Sequence, residues 1–305
     1  MFCGCLATGR ACLCTIRSRE NRNMRVDAHQ HYWQPERGDY GFLTPESRTL
    51  YRDYLPNDLK SSLAACGYDR TIVVQSAPTV AETLYLLDLA EKDQTIAGVV
   101  GWVDFEAEPT EFDHQLNCLL NQSRIVGVRP MLQDLPPDYM LQPRILRNLI
   151  VFAKIGLVFE WLVYSRHLPF VYQVMEACPG LKCVINHLAK PDLRDEAGVL
   201  EWREWMSRLA KLPAVACKVS GLFTESGPEK PSEEALKPYT TFVFEQFGED
   251  RVMFGSDWPV SLLAGEYEEV VSWTDSLVPK HWNEAQRDKL YGGNAIRWYG
   301  LQDKL

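Results

Sequence analysis

No stretch of this 305-residue chain is both long enough and apolar enough to span a bilayer. The most apolar segment, Asn148 to Tyr164, is broken by Lys154 and Glu160, so a transmembrane helix is excluded. A Lys/Arg-rich run is also missing, and the net charge is −9, from 32 Lys and Arg against 41 Asp and Glu. The electrostatic footprint of nucleic-acid binding is therefore absent, and an acidic surface disfavours anionic lipid. The first apolar run leads into His31-Tyr32-Trp33-Gln34 and not into a glycine-rich turn, which argues against a doubly wound dinucleotide-binding sheet. A disulfide frame is missing too. Cys66, Cys118, Cys178, Cys183 and Cys217 are odd in number and scattered through apolar segments, as reduced core cysteines are. What remains is a globular protein, expected in the cytoplasm, with a small-molecule partner and room for a homo-oligomer.

Four further cysteines, Cys3, Cys5, Cys12 and Cys14, crowd the start of the chain without a partnering His or a second cluster. Closed zinc sites need four well-spaced ligands, so no metal site is expected there. Residues 1–23 carry Arg10, Arg17, Arg19 and Arg22 against Glu20, a net +3 that leaves −12 on residues 24–305. The stretch has no clean apolar region followed by a cleavage site, and so makes a poor signal peptide. We expect residues 1–23 to be an extension outside the fold. Residues 24–305 should form one domain.

Within that domain, short β-branched runs alternate with amphipathic stretches. The runs are Val26 to His31, Thr71 to Ser76, Ile96 to Val103, Ile125 to Arg129, Leu157 to Val163, Lys182 to His187, Ala214 to Ser220 and Val252 to Asp257. Continuous apolar runs of this length suit strands buried on both faces of a parallel sheet. The intervening segments read as helices. Asn57 can cap one that carries Leu59 and Leu63 and ends at Gly67. Thr79 and Glu82 have capping-box spacing, with Leu84, Leu87 and Ala90 on one face. Trp202, Trp205, Leu209 and Leu212 form a core-packing stripe. Eight βα units without a linker make a (β/α)8 TIM barrel of the α/β class. The loops Tyr32 to Pro56 and Gly221 to Ser232 would lie at its C-terminal rim, where such barrels bind substrate.

The chemistry is written at the strand ends. Alternation puts His29 and His31 on one face of the first strand and Gln30 on the other. Two imidazoles aimed at one point can share a metal or a substrate oxygen. Strand four ends Gly127-Val128-Arg129-Pro130, strand six Asn186-His187-Leu188-Ala189-Lys190-Pro191, and strand eight Phe254-Gly255-Ser256-Asp257-Trp258-Pro259. Singly, each ionisable group could be a cap or a salt bridge. Together at one rim they form a catalytic constellation.

In these four motifs the chain resembles the amidohydrolase superfamily, and within it the sugar lactonase branch of L-fuconolactonases, L-rhamnono-lactonases and 2-pyrone-4,6-dicarboxylate lactonases. The resemblance spans Arg25 to Tyr299, in order and at barrel spacing. It implies hydrolysis of a small sugar-acid lactone to its open hydroxy acid. Asp257 would be the general base, facing the strand-one histidines across the mouth. His29, His31 and His187, alone or with a metal, would polarise the carbonyl. Strand four has Arg129 and no lysine to be carboxylated, and strand five has Glu160 and Trp161 and no histidine. This argues against a binuclear centre and for no metal or one divalent ion, zinc foremost, held by His29, His31 and Asp257. No organic cofactor is implied.

For substrate contacts, Arg129 and Lys218 suit a carboxylate or carbonyl oxygen. Tyr32, Trp33 and Trp258 offer faces to a sugar ring. Gln75, Trp102 and Lys218 end strands two, three and seven, where packing into the barrel is the competing role. Two other functions fit the same residues: a zinc-dependent decarboxylase of a related branch, and a catalytically silent ligand-binding barrel.

Overall fold

Eight parallel strands form where the eight apolar runs lie, and they pair in chain order from first to last. They are β1 (Val26–Gln30), β2 (Arg70–Val74), β3 (Ile96–Gly101), β4 (Ile125–Val128), β5 (Val158–Trp161), β6 (Cys183–Ile185), β7 (Val215–Val219) and β8 (Val252–Phe254). Each strand stops one to three residues short of the expected run. The surplus residues have left the ladder to line the mouth. The structure is a computed structural model that describes residues 23–225, 230–302 and 304. The extension at residues 1–22 and its four cysteines lie outside the described residues.

The barrel closes at its site. Gln30 bridges Trp258, His31 N–H donates to the Trp258 carbonyl at 2.7 Å, and Asp257 N–H donates to the His29 carbonyl at 2.8 Å. Closure makes β8 the neighbour of β1. Asp257 is therefore beside the strand-one histidines and not opposite them, as the sequence had suggested. Asp27 braces the seam, its carboxylate accepting from the N–H groups of Ser256 at 3.0 Å and His29 at 3.1 Å.

Inside the barrel, every strand contributes to one apolar cluster that includes Val26, Ile72, Val100, Val126, Val158, Val184, Ala216 and Met253. Trp298, Tyr299 and Leu301 complete this cluster. The chain end stays near the start of β4, where Arg124 and Lys304 exchange hydrogen bonds with the backbone. The interior is thus a filled core, as barrels of this size require.

The helices are α1 (Pro56–Cys66), α2 (Val80–Lys92), α3 (Pro109–Leu120), α4 (Pro143–Ala153), α5 (Leu168–Ala177), α6 (Glu196–Ala210), α7 (Glu233–Phe247) and α8 (Tyr267–Leu277), with shorter pieces after them. Helix α1 begins at Pro56, before the expected Asn57 cap, because the Asp58 carboxylate closes back on Leu55 N–H at 2.8 Å. Gly67 ends it at φ 73°, as expected for an αL cap. Thr79 Oγ1 accepts from Glu82 N–H at 3.0 Å, but the Glu82 carboxylate turns to Ser76 N–H at 2.8 Å, so the box is half made. Leu87 and Ala90 are buried beside Leu86, while Leu84 is exposed. In α6, Trp202 and Leu209 are fully buried, and burying Leu209 contributes roughly 1.5–3 kcal/mol. Among the described residues no helix is long and apolar enough to cross a membrane.

Candidate active site

His29 and His31 leave β1 on the same side, and their Nε2 atoms lie 3.2 Å apart. The Asp257 Oδ1 is 3.5 Å from His29 Nε2, 3.3 Å from His31 Nε2 and 3.9 Å from His187 Nε2. One carboxylate thus meets three imidazoles, all buried. Asp257 Oδ2 is buried with no hydrogen-bond partner.

Two strained backbones aim these groups. Asp257 has φ 60°, and His187, Leu188, Ala189 and Lys190 have φ 51°, 54°, 58° and 48°. Successive left-handed residues without glycine cost roughly 1–2 kcal/mol each, and such strain clusters at functional sites. The turn is held by Trp202 Nε1, which donates to the Leu188 carbonyl at 2.7 Å, and by Ser165 Oγ, which reaches the Ala189 carbonyl at 3.3 Å. Two glycines make room. A Cβ on Gly255 would stand 2.5 Å from the Cβ of His29, and one on Gly221 would stand 2.5 Å from His187 Nδ1.

The positive groups around the site have fixed partners. Arg129 Nη2 donates to the Gln75 carbonyl, Gln75 Nε2 donates to the Arg129 carbonyl at 2.6 Å, and Arg129 Nη1 lies 3.4 Å from His29 Nε2. The two residues lock each other. Lys218 was expected either at the substrate or packed into the barrel. Its ammonium is fully buried, donating to Glu160 Oε1 at 2.6 Å and lying 3.3 Å from His29 Nδ1. Glu160 also accepts from Asn186 Nδ2 at 2.8 Å and the Tyr299 hydroxyl at 2.5 Å. This network forms the floor of the site.

Burial pushes the His187 imidazole down to about 3, and Asp257 only partly offsets it. Burial likewise holds His29 well below, and His31 below, the ordinary imidazole value. Burial opposes charge on Asp257, but the groups around it, the Lys190 ammonium among them, outweigh it and hold the carboxyl below the usual range. At neutral pH the site is therefore one carboxylate among neutral imidazoles, with a guanidinium beside it. Val74's carbonyl and the Asp257 carboxylate can both only accept, and they flank His31 at Nδ1 (2.7 Å) and Nε2 (3.3 Å).

The expected aromatic faces are not at the mouth. Tyr32 follows β1 on the Gln30 side, fully buried and edge-on to Trp258 at 6.0 Å. Trp33 is also fully buried, its indole N–H shared between the Leu50 and Arg52 carbonyls at 3.1 Å. Trp258 packs edge-on to Tyr54 at 5.1 Å. These rings pack on one another and on the loop after β1, and Trp33 stacks on His31 at 6.2 Å. Trp102 is half-buried past the end of β3, its N–H held by Thr83 Oγ1 at 2.8 Å.

One donor set could hold a metal ion. Ligand atoms of His29, His187 and Asp257 lie within 4.8 Å of one another. The anticipated trio had His31 in place of His187, and the structure adds His187 because the left-handed turn carries it in over β6. Sequence reasoning also passed over Lys190 and Glu225. Lys190 stood inside the strand-six motif, and Glu225 lay in a loop already marked as rim.

The fold and site can now be set beside known proteins. A profile of the amidohydrolase family matches residues 26–301. The chain is 40% identical over 285 residues to an L-fucono-1,5-lactonase of Burkholderia ambifaria, covering 91% of this chain and 96% of that one. An L-fucono-1,5-lactonase of Burkholderia multivorans is 33% identical over 92% of this chain and 97% of its own length. The crystal structure of a Burkholderia multivorans amidohydrolase with bound zinc superposes at TM-score 0.84 and 33% identity, covering 91% of this chain and 99% of that one.

Proposed function

The chain belongs to the amidohydrolase family, and from that premise we propose that its barrel mouth hydrolyses a small sugar-acid lactone of the L-fuconolactone kind. The observation that carries this reading is the Asp257 carboxylate, ionised among neutral histidines with Oδ2 bare. Water is a weak nucleophile at neutral pH, and a base within hydrogen-bond reach of it contributes about 10²–10⁴-fold.

Asp257 Oδ2 takes a proton from water as the water oxygen bonds to the lactone carbonyl carbon. The carbonyl oxygen becomes an oxyanion, which the Arg129 guanidinium is placed to stabilise. The ring C–O bond then breaks, and the proton held on Asp257 passes to the departing alkoxide. The product is the open hydroxy acid, and Asp257 is again ionised. Glu160 and Lys218 keep His29 in place from below.

The donors His29, His187 and Asp257, with His31 adjacent, fit one divalent ion, zinc being the expected one. Arg129 and Lys218 add positive charge on either side of His29, which disfavours a second ion. Bound there, one ion would supply Lewis acidity to the carbonyl oxygen.

The test is hydrolysis of a panel of sugar lactones followed with a pH indicator. Acid release that depends on Asp257 supports the reading. Absence of acid release on every hydroxylated lactone overturns it.

A further inference from the structure

Beside His187 lies a cleft of about 560 Å³ that the reaction chemistry does not use. Its walls come from the loops after β5, β6 and β7 and include Arg166, Lys190, Asp192, Arg194, Asp195 and Glu225. That is three cations against three carboxylates, a balance that suits an uncharged polar ligand more than an ion. Lys190 and Arg194 are already paired with carboxylates, to Glu225 at 2.8 Å and Asp192 at 2.9 Å.

Lys190 is the centre of this wall. Its ammonium is buried, donates to Gln133 Oε1 at 2.6 Å and is held by the Glu225 carboxylate. Ordering a long cationic side chain in this way costs rotamer entropy, and the backbone strain of the 187–190 turn is added to it. The same turn delivers His187 at one end and Lys190 at the other. Glu225 flanks His187 too, because a Cβ on Gly221 would touch His187 Nδ1 at 2.5 Å and Glu225 Cγ at 3.1 Å. Unlike Lys190, Glu225 is a quarter exposed to the cleft. An ammonium and a carboxylate from two of these loops offer donor and acceptor side by side. Vicinal hydroxyls use both.

We propose that Lys190 and Glu225 form a hydroxyl-reading subsite that selects an uncharged, polyhydroxylated lactone and turns its carbonyl toward Asp257. This rests on the lactonase reading above and names the side of the substrate that is recognised. A site built to bond hydroxyls rejects an analogue lacking them, because its buried polar groups are left unpaired. An added carboxylate on the substrate would meet Glu225 as a like charge.

The test compares D-glucono-1,5-lactone with unsubstituted δ-valerolactone in the wild type and in Glu225→Gln and Lys190→Met. We expect each variant to lose about 10- to 100-fold in kcat/KM on the hydroxylated lactone, mainly through KM, the scale of one charged hydrogen bond. Hydrolysis of δ-valerolactone by Glu225→Gln should change less than about threefold, within the tenfold that separates one hydrogen bond from none. Equal losses on both lactones, or no loss on either, overturn the subsite. Should Lys190→Met fail to fold, Glu225→Gln on the partly exposed loop still decides. Binding of the intact hydroxylated lactone to Asp257→Asn, with and without Glu225→Gln, separates this claim from the activity itself. Weaker binding in the double variant supports the subsite even if the wild type turns nothing over. Equal binding, or none to either protein, overturns it.

Discussion

The Lys218 ammonium sits 2.6 Å from the Glu160 carboxylate, both groups fully buried beneath His29. Burial draws the Lys218 ammonium down to about 8, against the pull of Glu160. Removing one partner of a buried pair leaves the other charge uncompensated, at a cost of about 3–5 kcal/mol. Lys218→Met should therefore lose about that much stability in urea unfolding. Adding Glu160→Gln should recover part of the loss. A single variant as stable as wild type would contradict the role of the pair as the floor of the site.

Glu82 gives the pH dependence. Burial raises its carboxyl from 4.5 to about 8, and Ser76 N–H offsets only part of this. A folded-state value above the unfolded one means that the folded protein holds a proton the unfolded chain has lost. The stabilisation is complete below about pH 4.5 and is lost as pH rises through about 8, at about 1.4 kcal/mol per pK unit. Gln keeps the acceptor for Ser76 but does not titrate. The Tm of Glu82→Gln relative to wild type should therefore climb from pH 5 to pH 8 and level off above. A difference independent of pH would contradict the buried, protonated carboxyl.

The donor set predicts the metal stoichiometry. Dialysis against zinc should load at most one ion per chain, and His187→Asn should weaken that loading by at least about tenfold, the scale seen when even an indirect ligand contact is lost. Elemental analysis finding two ions per chain would overturn the site.

Much of the barrel was legible because its rules are local. β-branched runs spaced by one helix each gave all eight strands, and period-two alternation placed His29 and His31 together. The same alternation sends Tyr32 to the Gln30 face, so its burial away from the mouth was readable in principle. Lys218 and Arg129 were read alike as strand-end cations. Their depth differs, and depth is set by strand stagger, which no single strand reveals. Lys190 was hidden for another reason. Four consecutive left-handed residues without glycine contradict every local preference, and tertiary contacts such as those of Trp202 and Ser165 hold them there.

The central claim is that Asp257 is the base. Asn has the same shape and cannot take a proton from water. Asp257→Asn should fold with a Tm near that of wild type and still bind the hydroxy-acid product. Its kcat on the best lactone should fall by about two to four orders of magnitude, the worth of a positioned general base. Turnover within a few-fold of wild type on that lactone would contradict the mechanism.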